Sequence, residues 1–171
     1  MTGLTQTIAN FVANPTFGGK EKEACEVAKT GMMDTIATMM AGHEEPVVKI
    51  VREFVGNPPA HGEAPVPFTG QMYSAADAAM INGTAGHALD YDDVALSGHP
   101  STAIAPAVLA AGYVLNSSGL DALRAYVIGY EVWAELVSRE KDPYHLKGWH
   151  PTGVFGAVSA AAAVAYLNRL S

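Results

Sequence analysis

Apolar residues that recur every three or four positions, with no alternating apolar and polar run anywhere, restrict this chain to a helical architecture. In "EKEACEVAKTGMMDTIATMMAG", Ala24, Val27, Ala28, Met32, Ile36, Met39 and Met40 keep that step, the period of one face of an amphipathic helix. Gly42 is the expected stop, and Met32, Met33, Met39 and Met40 are expected to pack in the core. "PVVKIVREFVG" repeats the pattern through Val47, Ile50, Val51 and Phe54, opened by Pro46 and closed by Gly56. Four prolines and two glycines in "NPPAHGEAPVPFTG", residues 57–70, predict a loop.

Ser74, with Asp77 three residues on, reads as the N-cap and acidic first turn of a helix over "AADAAMINGTAGHAL". Three more helices follow in "PSTAIAPAVLAAGYVLN", "GLDALRAYVIGYEVWAELVSRE" and "PTGVFGAVSAAAAVAYLNRL". Their alanines and glycines suit close packing inside a bundle and equally a helical dimer interface. The expected fold class is all-α, a bundle of about six or seven helices, without internal repeats or low-complexity linkers.

At 171 residues and 49% hydrophobic content, the chain can bury one substantial core, so one domain or a large part of one is expected. Seventeen acidic against ten basic residues give a formal charge of -7. That excludes a non-specific nucleic-acid binder, which needs a basic face for phosphates. A lone Cys25 excludes an internal disulfide framework and a cysteine-based zinc site, and fits a cytoplasmic protein. The N-terminus, "MTGLTQTIANFVANPTF", has no charged region leading into an unbroken apolar one, so no secretory signal is read there. The most apolar run, "VFGAVSAAAAVAYL" at 154–167, is too short and alanine-rich to span a bilayer, so no membrane partner is expected.

The chemistry concentrates in "GHALDYDDVALSGHPST", residues 86–102, where Asp90, Asp92 and Asp93 lie between His87 and His99. A metal site would need three or four converging ligands. Neither H-x-x-x-H nor H-E-x-x-H is present, so no metal is expected. Asp92 and Asp93 fit a solvated helix end, although carboxylates at a helix C-terminus oppose its dipole. A second polar group, "KDPYHLKGWHPTG" at 141–153, holds His145, Lys147 and His150. The tripeptide H-P-[ST] occurs twice, at His99-Pro100-Ser101 and His150-Pro151-Thr152, each histidine preceding a helix start with Ser or Thr positioned to cap. Backbone N–H groups at such N-termini attract a carboxylate, and histidine exchanges protons near neutral pH. The residues alone leave two readings, an acid/base pocket for a small anion and a purely structural role.

In that order and spacing, "NGTAGHALDYDD", "GHPSTAIAPAVLA", "AYVIGYEVWAEL" and "GWHPTGVFGAVSAAAA" closely resemble the N-terminal helical region of the MmgE/PrpD family, and the likeness runs from "TIANFVAN" onward. That family includes 2-methylcitrate dehydratases, cis-aconitate decarboxylases and an iminodisuccinate epimerase. The resemblance implies a large helical domain followed by a smaller α+β domain, a homodimer, and chemistry without metal or organic cofactor. It makes residues 1–171 a partial helical domain with the C-terminal α+β domain absent, either a fragment or a chain completed by a second polypeptide.

Carried over by position, the family's pocket residues fall on Asp90, His99 and His150. Val94 and Ala95 stand where the family often has threonine and histidine, and the later lysines and tyrosine of the pocket have no counterpart here. The expected function is a lyase acting on a small di- or tricarboxylate by proton transfer beside a carboxylate, of the 2-methylcitrate dehydratase type. Decarboxylation of the cis-aconitate type and epimerisation are the enzymatic alternatives. A non-catalytic helical assembly module is the alternative outside catalysis.

Overall fold

The computed structural model describes residues 3–170 and contains seven α-helices: α1 (Leu4–Ala13), α2 (Glu21–Gly42), α3 (Pro46–Val55), α4 (Ala75–His87), α5 (Pro100–Val114), α6 (Gly119–Ser138) and α7 (Pro151–Leu167). The all-α expectation holds. Two serines cap helix starts, Ser74 as expected and Ser118 in addition. Ser74 and Ser118 each accept a hydrogen bond from the N–H three residues on, at 3.2 and 3.1 Å, while their hydroxyls donate to Asp77 and Asp121. Each serine therefore satisfies a donor that the helix start leaves unpaired. Among the described residues no helix is long and apolar enough to cross a membrane.

One expected loop is partly a strand pair. Ala64–Val66 (β1) and Gln71–Tyr73 (β2) form an antiparallel hairpin with Ala64 opposite Tyr73 and Val66 opposite Gln71. Ala64, Val66 and Tyr73 are buried in one cluster with Ile81 and Ala85 of α4. A strand of three residues is too short to show alternation, and Pro65 within it reads as a breaker.

The helix faces also differ from the expected stripes. In α2, Ala28, Met32 and Met39 are buried, but so are Cys25, Thr35, Thr38 and Gly42, while Val27, Met33, Ile36 and Met40 are exposed. In α3, Val48 is buried, whereas Val47, Ile50 and Phe54 face outward. Apolar residues occur on more than one side of both helices, so a step of three or four does not single out the core face. Thr35 and Thr38 enter the core because their hydroxyls donate back to the carbonyls of Gly31 and Thr35.

Gly42 is the last residue of α2, as expected, and its missing side chain serves a contact as well. A Cβ there would stand 2.2 Å from the carbonyl oxygen of Ala85, so the missing side chain lets α2 touch the backbone of α4. A similar device joins α4 to α5, where a Cβ at Gly83 would meet the Thr102 carbonyl at 2.9 Å. That carbonyl lies four residues before Pro106, which lacks the N–H that would otherwise bond to it. Ile104, Ala105 and Val108 of α5 are fully buried, with α2, α4, α6 and α7 packed around the helix.

The start of α5 is anchored by Asp93. Its Oδ1 accepts from the Ser101 N–H at 3.1 Å, and its Oδ2 accepts from the Ser101 hydroxyl at 2.7 Å and from the Tyr130 hydroxyl of α6 at 3.0 Å. Tyr126 shares a hydrogen bond with Ser101 Oγ. Since the Ser101 proton is committed to Asp93, the Tyr126 phenol is the donor in that contact. Burial pushes Tyr126 up to about 12, and burial together with the Asp93 charge raises Tyr130 well above the ordinary phenol range.

Two outcomes follow from these contacts. Gly42→Ala should lower unfolding free energy by about 1–3 kcal/mol, the usual scale of overpacking, measured by denaturant titration. The neutral phenols contribute stability that is complete below the ordinary tyrosine value of 10.0 and is lost as pH rises through about 12. Ultraviolet titration should therefore show Tyr126 and Tyr130 ionising only together with alkaline unfolding.

Candidate active site

The segment between α4 and α5 is held in a shape that sequence spacing does not suggest. Asp90, Leu96 and Ser97 have φ of 54°, 48° and 67°, in the left-handed region that side chains disfavour. Leu96 and Ser97 are the central residues of a tight turn closed by two hydrogen bonds between Ala95 and Gly98, at 2.9 and 3.0 Å. Positive φ at both central positions defines a type I′ turn. Tertiary contacts hold it in place. The Trp133 indole N–H of α6 donates to the Leu96 carbonyl at 3.0 Å, and the His99 N–H donates to Thr152 Oγ1 of α7 at 3.1 Å.

This loop brings three histidines together from three elements: His87 at the end of α4, His99 before α5 and His150 before α7. The His87 ring centroid lies 4.6 Å from that of His99 and 6.0 Å from that of His150. Of the residues named from the sequence, His99, Asp90 and His150 thus gather at one place. Asp90 is at the open edge, its side chain 80% exposed and its Oδ1 3.6 Å from His99 Nε2. The other two polar residues of the second motif are placed differently. His145 and Lys147 sit in a short 3-10 turn, Tyr144–Lys147, where Lys147 pairs with Asp142 at 3.6 Å and lies over the Tyr144 ring.

Asp92 overturns the solvated expectation. Its side chain is 0% exposed and lies between two imidazoles, with His87 Nδ1 at 2.9 Å from Oδ1 and His99 Nδ1 at 3.4 Å from Oδ2. Asp93 is not solvated either, since it anchors α5. The H-P-[ST] tripeptides also cap differently from expectation. Asp93 serves α5 from outside the tripeptide, and at α7 the His150 Nδ1 accepts from the Thr152 N–H at 3.2 Å. The carboxylate that the α5 N-terminus attracts is therefore the protein's own. No spacing rule reveals His87 and Asp92 as partners, because the pairing depends on the loop folding back under α4.

The expectation that metal ligands fail to converge is also corrected. His87, Asp90, Asp92 and His99 can each offer one ligand atom, all within 4.8 Å of one another. These four residues are the set that could hold a metal ion. A bound zinc would need its ligand atoms about 2.0–2.2 Å away. As arranged, His87 Nδ1 and Asp92 Oδ1 are hydrogen-bonded to each other, and a proton occupies the space between them. Chemically, the cluster is a set of imidazoles backed by carboxylates, suited to accepting and returning protons at its exposed side.

Comparison with known proteins agrees with this architecture. The chain matches the MmgE/PrpD N-terminal domain over residues 6–171. It is 37% identical over 100 residues to the cis-aconitate decarboxylase of Mus musculus, covering 55% of this chain and 20% of that protein. The Homo sapiens cis-aconitate decarboxylase is likewise 37% identical over 100 residues, covering 55% of this chain and 21% of that protein. The cis-aconitate decarboxylase-like protein oryM of Aspergillus oryzae is 29% identical over 178 residues, covering 98% of this chain and 37% of the relative. The chain thus spans between a fifth and somewhat over a third of the length of these relatives. With a match running along nearly its whole described length, this helical chain belongs to the MmgE/PrpD family.

Proposed function

We propose that the chain carries the histidine side of the pocket of a lyase acting on a small tricarboxylate, with decarboxylation of cis-aconitate as the reaction. The observation that carries the reading is the convergence of His87, His99 and His150 beside Asp90 and the buried Asp92. The names of the relatives favour decarboxylation over the dehydration that the motifs first suggested.

In decarboxylation the bond between a carbon and its carboxylate breaks, carbon dioxide leaves, and the electron pair stays on the carbon skeleton, delocalised toward a remaining carboxylate. A proton from an imidazolium then quenches that charge. His99 is the residue proposed to deliver it, because its Nε2 lies at the edge facing the exposed Asp90. His150 contributes a second imidazole, and the Asp90 carboxylate at the open side favours the imidazolium form of His99. Dehydration would use the same groups in the reverse sense, with His99 taking a proton from carbon while water leaves. The two reactions are told apart by their products, carbon dioxide or water.

Charge limits what this cluster does alone. Asp90 and Asp92 stand beside the histidines, and the Ser101 N–H of α5 and the Thr152 N–H of α7 already have internal acceptors. A trianionic substrate needs additional cations to hold it while charge develops. We place those cations in sequence outside this chain, as part of the same polypeptide or of a second one, and the homodimer expected for the family belongs to the same proposal.

In the enzyme with its remaining domain, His99→Ala should lower turnover of cis-aconitate by about two to four orders of magnitude, the scale of general acid/base catalysis. Asp90→Asn should lower turnover with little change in melting temperature, because the side chain is exposed. Asp93→Asn should lower melting temperature as well as turnover, because its two oxygens hold α5 to α6. Unchanged turnover in His99→Ala would remove that residue from the reaction. Activity should also survive prolonged chelation. A stoichiometric metal lost together with activity would make the four-residue cluster a metal centre instead.

A further inference from the structure

We propose that Asp92 is a positioning residue shared by His87 and His99, fixing both rings as Nδ1–H tautomers so that both Nε2 atoms remain available on the substrate side. The inference rests on reading the cluster as a proton-transfer pocket, and it adds His87 and Asp92 to the residues that serve it.

The argument starts from burial. A carboxylate removed from water must be paired or hydrogen-bonded, and the side chain of Asp92 has no exposed surface. The polar partners it has among the described residues are the two rings. His87 Nδ1 stands 2.9 Å from Oδ1 and 3.2 Å from Oδ2. On the other side His99 Nδ1 is 3.4 Å from Oδ2, but out of line for a hydrogen bond, and is a buried nitrogen without a hydrogen-bond partner. An ionised carboxylate only accepts hydrogen bonds, so each nitrogen turned toward it carries the proton. In a neutral imidazole the lone pair then lies on Nε2, at the opposite edge of the ring.

For His99 that edge is the one beside exposed Asp90, at 3.6 Å. For His87 it points away from Asp92, in a ring that neighbours His150 at 6.0 Å between centroids. One anion thus orients two bases. When either ring takes up a proton at Nε2, the positive charge that forms is balanced by the carboxylate against its Nδ1–H. The loose His99 contact suits this role, because hydrogen bonds in unliganded sites are often long and tighten as charge develops.

The test reads tautomers directly. Protein labelled with 15N-histidine is examined at about pH 8.5, where unperturbed imidazoles are neutral, by long-range 1H–15N correlation. His87→Gln and His99→Gln assign the two signals among six histidines. Both rings should be Nδ1–H in the wild type. Asp92→Asn offers one acceptor oxygen and one donor amide, so one ring should switch to Nε2–H. In the active enzyme the same substitution should lower kcat by about 10²- to 10⁴-fold with KM changed only a few-fold.

Nε2–H at both rings in the wild type would overturn the proposal without any variant, and so would tautomers left unchanged by Asp92→Asn in folded protein. The tautomers are read without substrate. Expected tautomers with no turnover of any carboxylate would refute the decarboxylase reading while leaving the Asp92 assignment standing.

Discussion

The carboxylate of Asp93 at the start of α5 is the contact on which the pocket geometry rests. It meets an unpaired backbone N–H and the positive end of the helix dipole at once, and a hydroxyl from α6 binds the same oxygen as Ser101. The loop between α4 and α5 is thereby tied down just before His99. Trp133 and Thr152 hold the intervening turn to α6 and α7. Three residues at positive φ in this loop are tolerated because these contacts over-determine its path, the usual circumstance in which backbone strain persists at a functional site.

With α5 fixed, the electrostatics of the site follow. The Ser101 N–H at the start of α5 is taken by Asp93 and the Thr152 N–H at the start of α7 by the His150 ring, so these two donors are not offered to an anion. What remains facing outward is imidazole, with Asp92 beneath and Asp90 at the rim. Such a site moves protons more readily than it binds polyanions. In the proposed function, grip and proton transfer therefore belong to different parts of the protein.

Helix positions were legible wherever the signal is local. Ser74 with Asp77 and Pro46 with Gly56 mark helix ends because capping and fixed φ act within a few residues. The buried face of α2 was not legible. Thr35 and Thr38 are polar by type yet satisfied by their own helix, while Val27 and Met40 are apolar yet exposed. Gly42 ends α2, as its glycine signal suggests, but that signal does not announce the close approach to α4. Only the position of Ala85 reveals it.

For the candidate site, the motifs named His99, Asp90 and His150, and the structure places His99 beside Asp90 and His150 on the other side of His87. The motifs singled out Asp90 and left Asp92 and Asp93 to a solvated helix end, which the structure contradicts. Asp90, Asp92 and Asp93 lie close together in sequence and are identical in intrinsic chemistry, so their differences arise from burial and partners alone. One is at the exposed rim, one is sealed between two imidazoles, and one is bound to a helix start and a tyrosine. The amino-acid sequence by itself determined the helical class, the family and the chemical types that line the pocket, because periodicity, capping and motif order are local properties of the chain. Tertiary structure alone decided which carboxylate serves which histidine, because that depends on the dielectric surroundings and on donors contributed by helices distant in sequence.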